Sequence, residues 1–389
     1  MAEYKILKLN EISDEINGVF DEKYSCTDDV SADADGIIVR SFKMADFETG
    51  SRLKAVARAG AGVNNIPVES MTEKNIVVFN TPGANANAVK ELVICALLLA
   101  SRKISEAVDW ANAQKGKGGE VPKLVEKFKN QFVGPEISGK TLGIIGLGAI
   151  GILVANAAVG LNVKVLGYDP YLSVDAALTL SNKVERVKDI NALYQRSDYI
   201  TLHLPLLPAT EGMINAETLA KMKDGVRIIN CARGELVNSA DIIAAARSKK
   251  VAKYVTDFPS DELLGVENIV AIPHLGASTP EAEDNCAVMA ARQLKDYLEN
   301  GNITNSVNYP TAVLARSGRF RLTVTHKNIS SMIAQATAFL SESKINISNM
   351  ISATRGNLGY MIIDTDGVIP QKTVDEMKKI DGFLQISVY

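Results

Sequence analysis

Three stretches in the middle of the chain carry side chains able to hold a carboxylate and move a proton. Asn230-Cys-Ala-Arg233-Gly234 closes the apolar run Arg227–Cys231, and an arginine among small residues can form a fork to a carboxylate. Val255-Thr-Asp257-Phe-Pro-Ser-Asp261-Glu262 closes the next run and supplies three acids. Pro273-His274-Leu-Gly276-Ala-Ser-Thr279 follows the last run. Of the three histidines in the chain, His203 and His274 both end strand-like runs in this region. An acid bonded to an imidazole fixes its tautomer and raises its pKa, which suits a general base near neutrality.

Upstream lies Thr141-Leu-Gly-Ile-Ile-Gly146-Leu-Gly148-Ala-Ile-Gly151. An apolar run meets a G-x-G-x-x-G spacing, and a small-residue helix follows. Gly146 permits the tight turn, Gly148 lets a pyrophosphate approach the backbone, and Gly151 lets helix and strand pack closely. Amide groups and the helix dipole then face an anion. Asp169 ends the next apolar run, where an acid binds the ribose hydroxyls of NAD and repels a 2′-phosphate. With a nicotinamide in place, arginine, acid and histidine suit hydride transfer from a 2-hydroxy acid. In that reading Arg233 fixes the carboxylate and polarises the C2 oxygen. His274 takes the hydroxyl proton, and Glu262 stabilises the imidazolium.

These groups need a sheet whose strand ends converge. From Tyr199 to Ile272, strand-like runs alternate with helical stretches, the order of a doubly wound dinucleotide-binding sheet. Before it, Lys5–Leu9, Gly36–Val39, Lys54–Ala57 and Ile76–Phe79 read as a smaller open α/β sheet. Arg40-Ser41 and Arg58-Ala-Gly follow two of those runs, where a ligand of a parallel sheet sits. A long apolar helix spans Ala86–Lys103. The glycine- and lysine-rich stretch Gln114–Val133 reads as a mobile surface segment, with a short helix possible near Val125 and Phe128. Thr279–Asn300 reads as a helix stopped by Gly301. The last 70 or so residues read β-α-β-β-α-β, a ferredoxin-like unit. The expected fold is therefore α/β: two doubly wound parallel-sheet domains plus that unit. The expected boundaries are 1–85 with 284–312 for the first domain, 86–283 for the dinucleotide domain and 318–389 for the last.

The 389 residues carry a net charge of −3, which argues against a nucleic-acid or polybasic membrane role. Four separated cysteines without a C-x-x-C pair suggest a reducing compartment and no metal site. The N-terminus enters a strand pattern at once, so no signal peptide is expected. The longest apolar stretch, Leu92–Ala100, is too short to span a bilayer. A cytoplasmic protein is expected.

Gly143–Gly151, Tyr168-Asp169-Pro170, Leu202-His-Leu-Pro-Leu206, Asn230–Gly234 and Pro273–Thr279 together resemble the D-isomer-specific 2-hydroxyacid dehydrogenases over roughly the first 310 residues. The resemblance implies NAD as cofactor, Arg233 as catalytic arginine and His274 as base. It implies Glu262 as the acid when counted without gaps from Arg233, or Asp261 when Phe258-Pro259 is matched instead. It adds Ala149, Ile150, His203, Pro205, Cys231, Ala232, Asp257 and Gly276 to the cofactor contacts. Arg40, Ser41 and Arg58 match the phosphate-holding positions of members that act on a phosphorylated 2-hydroxy acid. Gly60, Ala61, Gly62 and Asn85 match loops touching the substrate carboxylate. The last unit resembles an ACT domain. His326, Asn328 and Asn346 match its serine-contacting positions, although its Arg-Pro-Gly is replaced by Ile329-Ser330-Ser331. The resemblance thus implies L-serine as effector and a homodimer or homotetramer. Two alternatives stay open: a glycerate or hydroxypyruvate reductase, and a non-catalytic NADH-sensing binding protein of the same fold.

Overall fold

The computed structural model describes residues 3–317 and 320–389. Met1, where the first expected domain starts, and Gly318, where the last one starts, lie outside the described residues. The chain forms two compact units: residues 3–84 with 283–317 and 320–389, and residues 85–282.

The first unit opens with β1 (Tyr4–Leu9), β2 (Tyr24–Thr27), β3 (Gly36–Val39), β4 (Ala55–Arg58), helix α1 (Val68–Glu73) and β5 (Val77–Phe79). The strands are all parallel, in the order β2-β1-β3-β4-β5. β3 is buried at every residue, as expected of a parallel strand covered on both faces. The order turns back at the β1/β3 boundary, so the ends of β1 and β3 flank a switch point where ligands bind. The sequence pattern gives four of these five strands. β2 (Tyr-Ser-Cys-Thr) is missed because only Tyr24 is fully buried on this edge strand.

The second unit begins with α2 (Ala86–Ser101), α3 (Ile104–Asn112) and α4 (Val121–Phe128). The 114–133 stretch is thus more ordered than its glycines and lysines suggest. Trp110 sits 5.9 Å from Phe128 and 5.6 Å from Phe132, ring centre to ring centre, so aromatic contacts tie the stretch to α3. Next come β6 (Thr141–Ile145), α5 (Ala149–Gly160), β7 (Lys164–Tyr168), α6 (Val174–Thr179), β8 (Glu185–Arg186), α7 (Ile190–Arg196), β9 (Tyr199–Leu202), α8 (Ala216–Ala220), β10 (Val226–Asn230), α9 (Ser239–Arg247), β11 (Val251–Thr256) and β12 (Ile269–Ala271). Seven parallel strands run β12-β11-β10-β9-β6-β7-β8, with the switch point at β6/β9. Val89, Val93, Ala96 and Leu97 of α2 share one core with Val154, Ala155 and Ala158 of α5. The alanines let these helices approach closely.

α10 (Pro280–Asn300) returns the chain to the first unit, where Ala287, Ala290, Ala291 and Leu294 join the core of Ile6, Ile38 and Phe79. It stops at Gly301, whose φ is +68°. The remainder is β13 (Phe320–Lys327), α11 (Met332–Glu342), β14 (Ile347–Arg355), β15 (Leu358–Thr365), α12 (Gln371–Met377) and β16 (Phe383–Val388). The antiparallel order is β14-β15-β13-β16, the ferredoxin-like arrangement the sequence pattern predicts.

Alternation along this sheet separates two faces. Leu322, Val324, Met361 and Ile363 pack under α11 and α12. Tyr360 and Ile362 instead join the core of Phe79, Tyr297 and Tyr309, so this module and the first sheet form one unit. The seam is also polar. Arg321, fully buried, forms a two-pronged pair with Asp364 at 2.6 and 3.0 Å. It also donates to the carbonyls of Asn300 and Leu314. Burial alone would push the Asp364 carboxyl up. Arg321 and the Ser317 donors outweigh this and hold it at about 2. Arg355 donates to the Ser306 carbonyl at 2.7 Å.

Candidate active site

In the second unit the glycine loop is held by its backbone. Gly146 has φ +95°, and a Cβ there would run into the His203 carbonyl across the β6/β9 switch point. A Cβ on Gly151 would run into the Gly146 carbonyl. Gly148, by contrast, has open space beside it and caps α5, whose first residues are Ala149 and Ile150. The first amides of that helix therefore lie where an anion can reach them. Asp169 accepts from Leu147 N and Tyr171 N, at 2.9 and 2.8 Å, and braces the loop from the end of β7. A carboxylate has about four lone-pair sites, so these bonds leave room for ribose hydroxyls.

The ends of β9, β10, β11 and β12 hold the titratable groups. His203 bonds the Thr201 hydroxyl at 3.1 Å, while its Nδ1 is buried without a partner. Burial pulls its pKa down to about 3, so it stays neutral near pH 7. His274 is exposed and its ring lies 4.7 Å from that of Phe258. Arg233 is exposed at the turn after β10, and the Asn230 side chain fixes this turn by donating to the Arg233 carbonyl at 2.7 Å. The buried Cys231 and half-buried Ala232 form the same turn, while Pro205 lies exposed after His203.

The acid that interacts electrostatically with these two side chains is Asp257. It is 1 % exposed, and one carboxylate oxygen accepts from Gly276 N at 3.2 Å while the other has no partner. Burial pushes its pKa up, and the charges of His274 and Arg233 oppose that rise. Glu262 and Asp261 are both exposed. The expected Glu262–His274 contact is not formed, and neither acid makes a hydrogen bond or ion pair among the described residues. The turn after β11 carries both toward solvent, while Leu263 is the residue it buries.

In the first unit Arg40 follows β3 beside the β1/β3 switch point, and Arg58 ends the neighbouring strand β4, in register with Val39. Arg58 Nε donates to the Arg40 carbonyl at 3.2 Å. Ser41 N donates to the side chain of Asn10 at 3.1 Å. Asn65 bonds the carbonyls of Arg40 and Phe42. Gly60 donates to the Thr81 hydroxyl at 2.7 Å, with φ +153° and no room for a Cβ beside the Arg58 guanidinium. Asn80 holds the Ala61 carbonyl, and Gly62 follows. Asn85 precedes α2 in the second unit. Sequence reasoning missed Asn10, Asn65 and Glu283, which pairs with Arg40 at 2.5 Å. The residue after a parallel strand near a switch point is the signal that would have found Asn10.

The three effector candidates do not converge within one chain. His326 is buried with Nδ1 2.7 Å from the Lys327 carbonyl, and Asn328 bonds the Gly356 carbonyl. Asn346 bonds Asp366 at the opposite end of the sheet, because β13 and β14 both pair with β15 over its whole length. Ser331, where the ACT pattern has glycine, adopts the left-handed φ of +71° that glycine favours.

Comparison with known proteins gives matches over parts of the chain. Residues 94–276 match the family model of the D-isomer specific 2-hydroxyacid dehydrogenase NAD binding domain. The chain is 38% identical over 298 residues to a D-3-phosphoglycerate dehydrogenase of Methanocaldococcus jannaschii, covering 74% of this chain and 54% of the relative. It is 36% identical over 285 residues to that of Homo sapiens, covering 71% and 51%. The chain thus spans about half the length of the curated relatives it matches. The structure of an NAD+-bound 3-phosphoglycerate dehydrogenase from Entamoeba histolytica is similar at a TM-score of 0.61 and 29% identity, covering 79% of this chain and 99% of that one. Among the described residues no helix is long and apolar enough to cross a membrane, and no group of three or more metal-ligating side chains is present.

Proposed function

We propose that the chain oxidises D-3-phosphoglycerate to 3-phosphohydroxypyruvate with NAD+, the first step of L-serine biosynthesis, in the cytoplasm. The observation that carries this reading is the pair Arg40 and Arg58 at the carboxyl ends of the adjacent strands β3 and β4, beside the first switch point. A phosphate ester has three strong acceptor oxygens and close to two negative charges, and arginine forks match it. An unphosphorylated hydroxy acid has no use for two guanidinium groups beyond Arg233.

The open face at Gly148, the braced Asp169 and the unpartnered polar atoms of His203 and Asp257 fit NAD. When bound, NAD+ supplies the hydride acceptor. Arg233 holds the substrate carboxylate and the C2 oxygen. An imidazole nitrogen of His274 takes the C2 hydroxyl proton, and the resulting imidazolium is stabilised by negative charge. Asp257 interacts with His274 electrostatically from a buried position. Glu262 completes the set by turning inward from its exposed place, and Asp261 is the other acid that could do so. Asp169 selects NAD over NADP by repelling a 2′-phosphate. L-serine is the proposed effector. Because His326 and Asn328 lie far from Asn346 on one sheet, a ligand touching all three needs a second copy of the chain, in keeping with a homodimer or homotetramer.

Steady-state kinetics test the reading. kcat/KM for D-3-phosphoglycerate should exceed that for D-glycerate by roughly 100-fold, the worth of two charge-assisted contacts. Equal values would favour a glycerate or hydroxypyruvate reductase. His274→Ala should lower kcat by about 10²- to 10⁴-fold with NADH affinity retained. NADH binding without turnover of any 2-hydroxy acid would leave the NADH-sensing alternative.

A further inference from the structure

We propose that Glu283 is a positioning residue that sets substrate affinity: its carboxylate occupies Arg40 until the phosphoryl group of the substrate displaces it. The inference rests on the phosphate reading of Arg40 and Arg58 given above.

Arg40 Nη2 lies 2.5 Å from Glu283 Oε1, and among the described residues this is the hydrogen bond of the Arg40 guanidinium. The other bonds at Arg40 are to its carbonyl, from Arg58 and Asn65. They fix the backbone and leave the head group to Glu283. Both side chains are about two-fifths exposed or less, 35% and 41%, so a small anion can reach them from solvent.

Glu283 is not free to drift away. α10 is pinned beside it by the Ser13 hydroxyl, which donates to Asp284 at 2.6 Å. Arg58 Nε bonds the Arg40 carbonyl, so the second arginine lies beside the Arg40–Glu283 pair. An anion arriving here therefore meets two guanidinium groups and one carboxylate. It must break an existing charge-assisted bond and then sit beside a like charge. The device keeps Arg40 ordered when the site is empty, at a cost in affinity.

The test measures binding of inorganic phosphate by calorimetry, on the full chain with NADH present, and KM for D-3-phosphoglycerate. Glu283→Gln keeps the shape and a hydrogen-bonding oxygen but removes the charge, and Glu283→Ala removes both. Glu283→Gln should bind phosphate roughly 3- to 10-fold more tightly, since an exposed pair and its repulsion contribute in that range. KM should fall by a similar factor, with the change on KM rather than kcat. Glu283→Ala should shift phosphate affinity in the same direction. If wild type binds phosphate and both variants bind it equally or more weakly, Glu283 is only structural and the proposal falls while the function reading stands. If none of the three binds phosphate, the proposal and the phosphate reading of the arginines fall together.

Discussion

The glycine loop of the second unit and the arginine pair of the first both sit at switch points of parallel sheets, yet they are built from different material. The loop is backbone. Its shape is set by positions where a Cβ would collide with a carbonyl, and its donors are amides that have no rotamers to lose. The arginine site is side chain. Its side chains are long and partly exposed, and Arg40 is ion-paired to Glu283 within the chain. Ordering such a side chain costs up to about 2 kcal/mol, so a site of this kind gains from a tether such as Glu283. A backbone site suits the part of a ligand that never varies, the pyrophosphate. A side-chain site can be retuned by single substitutions, which suits the part that distinguishes one hydroxy acid from another.

Three variants probe this contrast. The largest effect should come from Arg40→Met combined with Arg58→Met. Two charge-assisted contacts at about 1.5–3 kcal/mol each predict a rise in KM for D-3-phosphoglycerate of at least 100-fold, with NADH affinity unchanged. A matching loss of NADH binding would show that the two sites are not separable. Gly151→Ala is the converse. The new methyl group forces the helix off the loop, and NADH titration should show affinity weaker by about 10- to 100-fold, the scale of a misplaced helix terminus and lost packing. Phosphate binding should be untouched. The smallest effect should come from Asp169→Ala, which removes two brace bonds and one charge. NADH should bind about 3- to 10-fold more weakly, and NADPH should become usable. Unchanged cofactor preference would move the discrimination to another group.

Local patterns were legible wherever one strand and one turn decide the outcome. Gly146, Gly148, Gly151 and Asp169 have fixed spacing, and Arg233 and His274 follow apolar runs directly, so their places at strand ends could be read from the chain. Three kinds of feature could not. Glu262 sits six residues past β11, where the path of the turn, rather than its residue types, decides whether the acid points inward. The 114–133 stretch is ordered by Trp110, Phe128 and Phe132, contacts that only the folded chain brings together. Arg321 reads as an ordinary strand arginine, and its burial against Asp364 depends on the sheet face being covered by a core far away in sequence. Glu283 is likewise one acid among several in Pro280-Glu-Ala-Glu-Asp284 until α10 lays it beside Arg40.

The sharing of one core by Phe79, Tyr297 and Tyr360 has a temporal side. The second unit is continuous in sequence and can close as soon as its last strand, β12, has emerged during synthesis. The first unit draws strands from both arms of the chain. Its opening sheet must wait, with Phe79 uncovered, until α10 leaves the ribosome, and its core is complete only after β13 to β16 follow. Because contacts this distant in sequence form slowly and leave apolar surface exposed meanwhile, this unit is where a nascent chain most needs a chaperone.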